Sequence, residues 1–134
     1  MSEPTVGIAS LWYEHTELLP GFVELMRGQP WDRLILVDNA SSAESHAAYQ
    51  EAVAQLGTGA FVLRMAENNV LRGWNAGMAD LVTDIVIQMA NDVVMEDAEW
   101  LRWGIAGMRP GIVQGPICWR RSPTPSFLPS WRSA

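Results

Sequence analysis

The sequence predicts an α/β domain with a mostly parallel sheet flanked by helices. Three observations lead there. Short apolar runs alternate with longer segments of helical period, small polar or glycine-rich turns separate them, and the composition is 49% hydrophobic against 18% charged. That alternation is the pattern of strand–helix–strand units. The chain's 134 residues are enough to bury one real core.

Val6–Trp12 is rich in bulky apolar residues and predicts a buried first strand. Glu17 to Arg27 carries Leu18, Leu19, Phe22, Val23, Leu25 and Met26 at helical spacing, and Gly28 is placed to end that helix. Arg33–Val37 (RLILV) predicts the second strand, stopped by Asp38–Asn39–Ala40–Ser41–Ser42, small polar residues suited to a turn and a helix N-cap. Glu44 to Leu56 is helical, with Ala47, Ala48, Val53 and Leu56 expected inward. Gly57–Thr58–Gly59 breaks it before a third strand, Ala60–Met65. A polar loop around Glu67–Asn69 precedes a glycine-interrupted helix from about Leu71 to Leu81. Asp84–Ala90 predicts a fourth strand, and Glu96 to Met108 a helix with Trp100, Leu101, Trp103 and Ile105. Gly111–Gly115 suits a short fifth strand. Residues 1–117 then form the domain, and 118–134 a tail rich in proline, tryptophan and arginine. The tail has no helical period, and its apolar residues suit docking either on its own core or on a second subunit, which would make a homo-oligomer.

Charge and cysteine content narrow the class. The formal net charge is −6, from 15 acidic and 9 basic residues, and every basic residue is arginine. Such a surface argues against general nucleic-acid binding, which neutralises phosphates with Lys and Arg, while leaving room for one arginine on one diphosphate. The N-terminus lacks the basic and apolar stretches of a signal peptide, and no apolar run approaches 18 residues, so the expected protein is not membrane-spanning. Cys118 is the only cysteine. It permits no internal disulfide and is expected as a buried, inert thiol, with a reducing cytoplasm as the simplest location.

In a parallel sheet the loops after the strand ends converge on one edge. Here they carry Trp12–Tyr13–Glu14–His15, Asp38–Asn39, Glu67–Asn68–Asn69 with Arg72 and Asn75, and Asn91–Asp92. Each residue alone has an ordinary explanation, since Asp and Asn are common turn formers. As a constellation they suit a nucleotide diphosphate. An aromatic ring stacks on a base, a carboxylate accepts from a base or ribose, and arginine holds phosphate. The run Val86–Val94 delivers Asn91–Asp92 at a strand end, and one Asp can hold a hard divalent cation when substrate phosphates add oxygens. Gly57–Thr58–Gly59 lacks the third glycine and the strand-before-turn order of a dinucleotide fingerprint. His15 and His46 share no metal spacing. Trp74, like most of the seven tryptophans, suits core or interface, with a sugar pocket as its other reading.

The order of these segments resembles the nucleotide-binding half of family 2 glycosyltransferases, over roughly residues 5–117. VGIASLWYEHTELL (6–19) is similar to the opening strand of that family with its T-Y-N type ending, keeping Tyr13. VDNASS (37–42) is similar to the V-D-N-x-S-x-D turn. ENNVLRGWNAG (67–77) keeps Asn75 and Gly77 of the N-x-G-F-A-x-x-x-N-x-G segment without its Gly-Phe pair. Residues 85–101 resemble the strand with the D-x-D-type motif and its trailing W-L helix. The resemblance implies a minimal, Rossmann-like GT-A fold and a metal-dependent glycosyltransferase. Tyr13 would stack on the nucleobase, Asp38 would hydrogen-bond it, and Asn39 would support the turn. Asn91 would occupy an acidic position facing ribose or metal, with a weaker amide contact. Asp92 would hold Mn²⁺ or Mg²⁺ against the diphosphate, a charge that stabilises the departing nucleotide. Arg72, placed by position on the neighbouring loop, would assist electrostatically, with a solvated helix residue as its other reading.

The chain departs from that pattern downstream. Inverting transfer needs a base within reach of the acceptor hydroxyl. After Glu99 there is no Asp or Glu, and Glu96, Asp97 and Glu99 read better as charges at a helix N-terminus. No catalytic residue is therefore assigned. Three expectations stand: transfer from a nucleotide-diphosphate sugar to an unidentified acceptor, a non-catalytic nucleotide-sugar-binding or assembly module that lacks the acceptor half, or a fragment whose acceptor site is completed by another subunit.

Overall fold

The structure is a computed structural model that describes residues 3–93, 95 and 97–108. It divides into two compact units, Met1–Val93 and Val94–Ala134. The predicted fifth strand Gly111–Gly115, Cys118 and the 118–134 tail lie outside the described residues.

The first unit is the α/β domain. Strands β1 (Val6–Trp12), β2 (Arg33–Asp38), β3 (Ala60–Arg64) and β4 (Ile85–Met89) form one sheet in the order β3-β2-β1-β4, parallel throughout. Helices α1 (Leu19–Met26), α2 (Ala43–Ala54) and α3 (Val70–Leu81) connect them. Alternation along the strands sends successive side chains to opposite faces. One face carries Ile8, Ser10, Trp12, Leu34, Leu36 and Asp38. There Trp12 meets Phe22 of α1 edge-on at 5.2 Å and Tyr49 of α2 at 5.8 Å. On the other face Ala9, Ile35 and Val37 pack with Leu81 of α3, flanked by Leu11, Leu63, Met65 and Trp74.

The approach of α3 depends on two glycines. A Cβ on Gly73 would stand 2.6 Å from Leu11 Cδ1, and one on Gly77 2.6 Å from Val37 Cγ2. The glycines that interrupt the helical pattern in sequence are thus its contact surface, where backbone lies directly on the sheet.

Several element details differ from the sequence reading. Asp38 is the last residue of β2, level with Trp12 and Arg64, instead of the first residue of the turn. The helix expected from Glu17 begins as a 3-10 turn, Thr16–Leu18, and becomes α-helical at Leu19, one residue ahead of Pro20. Helix α2 buries Ser45, Tyr49, Ala52 and Val53, leaving Ala47 exposed and Ala48 and Leu56 only partly buried. Its inward face is part polar because hydrogen bonds from the preceding loops satisfy those hydroxyls.

In the second unit, helix α4 covers Trp100–Ala106, starting later than the predicted Glu96. The Asp97 carboxylate accepts from the Glu99 amide at 2.8 Å and from the Trp103 indole at 3.1 Å, so Trp103 lies on the surface at 60% exposure. Among the described residues no helix is long and apolar enough to cross a membrane.

Candidate functional site

The chain winds from β1 outward through β2 to β3, then returns to lay β4 on the other side of β1. The strand order thus reverses between β1 and β4, and the carboxyl edge at such a reversal is the usual ligand position in open α/β sheets. Tyr13 follows β1. Asn91 and Asp92 form a turn after β4, Asn91 half-buried and Asp92 exposed.

On the β1 side the backbone is tightly specified. Glu14 and His15 adopt left-handed conformations at φ 55° and 50°, and Ala40 after β2 does so at 62°. Such conformations cost energy for non-glycine residues and persist where surrounding bonds enforce them. Glu14 supplies those bonds. Its amide donates to Ser41 Oγ at 2.9 Å, and its carbonyl accepts from the Tyr49 hydroxyl at 2.7 Å. Its carboxylate accepts from the Ser42 amide at 3.0 Å, from the Ser42 hydroxyl at 3.0 Å and from the Ser45 hydroxyl at 2.5 Å. Ser42 is the N-cap of α2, so the Glu14 charge also sits at the positive end of that helix. The Ser45 hydroxyl, then the Ser42 amide, hold the Glu14 carboxyl below its ordinary range. Burial pushes the Tyr49 phenol above its ordinary range, keeping it a donor. The side chain of Tyr13, by contrast, has no hydrogen-bond partner among the described residues and leaves its ring 46% exposed.

Asp38 is wholly buried. Its Oδ1 accepts from the Ser41 amide at 2.9 Å. Its Oδ2 accepts from Arg64 at 3.1 Å and pairs with His46 Nδ1 at 2.8 Å. Arg64 also donates to the Ser41 carbonyl at 3.0 Å. The groups that Asp38 holds reach the surface, Arg64 at 42% and His46 at 27% side-chain exposure. Asn39 is 1% exposed and serves the opposite face. Its amide donates to Asn68 Oδ1 at 2.6 Å, and its own oxygen accepts from the Asn69 amide at 3.0 Å. Asn69 in turn caps α3, accepting from the Arg72 amide at 3.0 Å. Asn39 thereby ties the end of β2 to the start of α3.

The fold brings Tyr13, Asp38 and Asn39 to one edge, with Asn91 and Asp92 after β4 on the same edge. Arg72 lies on the first turn of α3 and pairs with Glu67 at 2.6 Å, both side chains well exposed; Asn75 follows, exposed, one turn on. His15 pairs with Glu17 at 2.9 Å on the surface, which lowers the Glu17 carboxyl below its ordinary range. Trp74 is half-buried against the α3 face of the sheet. Sequence reasoning passed over Arg64, the Asp38–His46 pair and the anchoring part of Glu14. The spacing of Ser42, Ser45, His46 and Tyr49 carried the signal, since those offsets place four polar groups on one helical face.

Among the described residues no group of three or more His, Cys, Asp or Glu side chains is arranged to hold a metal ion. Asp92 offers one carboxylate, which fits a cation only when a ligand brings further oxygens. No protein-family model matches the chain, and no curated protein matches it by sequence.

Proposed function

We propose that this protein binds a nucleotide-diphosphate sugar at the carboxyl edge between β1 and β4. One observation carries the reading: an untethered aromatic ring, Tyr13, and a carboxylate, Asp92, follow the two strands where an all-parallel sheet reverses its winding. In this reading Tyr13 stacks on the base and Asn91 meets the ribose. The diphosphate lies toward Asp92, sharing a Mn²⁺ or Mg²⁺ with it; such an ion would stabilise charge on a departing nucleotide. Asp38, being buried, acts at one remove, orienting Arg64 and His46 toward the ligand. Asn39 sets the start of α3 and so places Arg72 and Asn75. The protein is read as a cytoplasmic glycosyltransferase of the GT-A type, transferring with inversion.

A second reading has a specific observation in its favour. Of the carboxylates described at this edge, Glu14, Asp38 and Glu67 are already paired within the protein and Asp92 is assigned the metal, so none of them is left to serve as the base of an inverting transfer. A nucleotide-sugar-binding or assembly module, or a site whose acceptor half comes from another subunit, meets that observation directly.

Titration with nucleoside diphosphates, with and without Mn²⁺, tests the shared part of both readings. Metal-dependent binding lost in Asp92→Ala is the expected result; no nucleotide binding, or unchanged metal dependence in Asp92→Ala, overturns it. Hydrolysis or transfer of the donor in the same samples separates enzyme from module.

A further inference from the structure

We infer that Glu14 is a positioning residue for the nucleobase, holding the Tyr13 ring in its exposed place by latching the β1 loop to the start of α2. The inference rests on the nucleotide-binding reading and deepens it.

The asymmetry between two neighbours carries the argument. Every polar group of Glu14 is engaged with residues 41–49: amide to Ser41, carbonyl to Tyr49, carboxylate to Ser42 and Ser45. The side chain of Tyr13, one residue earlier, has no hydrogen-bond partner among the described residues and is 46% exposed. Trp12 on the other side is locked as well, fully buried, with its indole donating to Ser10 Oγ at 3.0 Å. Tyr13 is thus an exposed ring strung between two fixed points. The Trp12 carbonyl accepts from the Asn39 amide at 2.9 Å, which joins the same loop to β2 a second time. Two consecutive left-handed residues, Glu14 and His15, turn the chain sharply after the ring. Without the carboxylate bonds the loop would relax toward commoner backbone angles and carry Tyr13 with it. A stacking platform works through orientation, so its benefit vanishes when the ring is free to turn.

Glu14 acts through Tyr13 and should leave phosphate binding alone. The test compares the affinity of the full chain, with Mn²⁺ present, for inorganic pyrophosphate and for uridine, adenosine and guanosine diphosphates. The ratio between the best nucleotide and pyrophosphate measures what the nucleoside adds, of which one stacked base supplies about tenfold or more. Tyr13→Ala and Glu14→Ala should each abolish most of that ratio while pyrophosphate affinity stays within about twofold, and the double variant should lose no more than either single one. If Glu14→Ala does not fold, Glu14→Gln and Ser45→Ala weaken the same bonds more gently and should reduce the ratio in part.

Three results overturn the inference. One is a ratio kept in the Glu14 or Ser45 variants while Tyr13→Ala loses it. Another is equal loss for pyrophosphate and nucleotide, which marks a merely structural role. The third is a ratio unaffected by Tyr13→Ala. A wild-type chain that binds no nucleoside diphosphate removes the parent reading as well, and that outcome is visible before any variant is made.

Discussion

Gly77→Ala in α3 should destabilise this protein, although alanine is the better helix former. The new Cβ would lie 2.6 Å from Val37 Cγ2 and 3.4 Å from Ala9 Cβ. Ordinary carbon contacts are about 3.5–4.0 Å, so the helix and β2 must part by about 1 Å. Val37 is wholly buried and β-branched, which denies it an easy change of rotamer. Overpacking of this kind costs about 1–3 kcal/mol, against a gain of about 1 kcal/mol from replacing an interior helical glycine. The net expectation is a loss of about 1 kcal/mol, or roughly 3–5 °C in Tm for a chain of this length. Gly21→Ala in α1 is the control, because nothing lies within 4 Å of the Cβ it would add. There the same replacement should stabilise by about 0.5 kcal/mol. Urea unfolding at constant m-value, followed by circular dichroism, gives both numbers. Helix propensity alone predicts the same sign for the two variants. If Gly77→Ala is as stabilising as Gly21→Ala, α3 does not rest on β1 and β2 as closely as described.

Other expectations follow from the same network. Asn39→Ala strips the Asn69 amide of its acceptor and Asn68 of its donor, and should cost about 1–3 kcal/mol in chemical denaturation; an unchanged midpoint would detach α3 from the β2 turn. Asp38→Ala leaves Arg64, His46 and the Ser41 amide without their shared acceptor, and about 2 kcal/mol or more should be lost, the partial exposure of Arg64 moderating the cost. Loss of nucleotide binding with stability intact would instead mean that Asp38 meets the ligand directly. Glu14 has a folded pKa below its usual 4.5, so its contribution is complete above pH 4.5 and lost as the pH falls through the folded value. Tm should therefore fall less steeply on acidification in Glu14→Gln than in wild type, and parallel curves would refute the latch. Tyr49 is shifted the other way, above 10.0, so stability declines as the pH rises past that point. Ultraviolet titration of the two tyrosines should show a late phase that Tyr49→Phe removes.

Much of the fold is legible in local pattern. Val6–Trp12 was recognisable to the residue because an uninterrupted bulky run between polar segments has few alternatives to a buried strand. Ser42 and Asn69 cap their helices through short side chains that reach only their own next turn, a local geometry. The candidate site was legible as a set of residue types at strand ends: Tyr13, Asn39, Asn91 and Asp92 follow the strands at one edge, and Asp38 closes β2 there.

What the amino-acid order determined by itself was the alternation of strand and helix, and with it the edge where strand ends collect. The tertiary structure decided which of those residues face out. Asp38 and Asn39 are adjacent in sequence, yet alternation sends one to the α2 face and the other beneath α3, and partners 3 to 30 positions away take up their polar atoms. The rotation of α2 about its axis was also decided at long range, by Glu14 accepting what Ser45 and Tyr49 offer. Periodicity encodes that a helix has a face; which face turns inward depends on hydrogen-bond partners that only folding brings together.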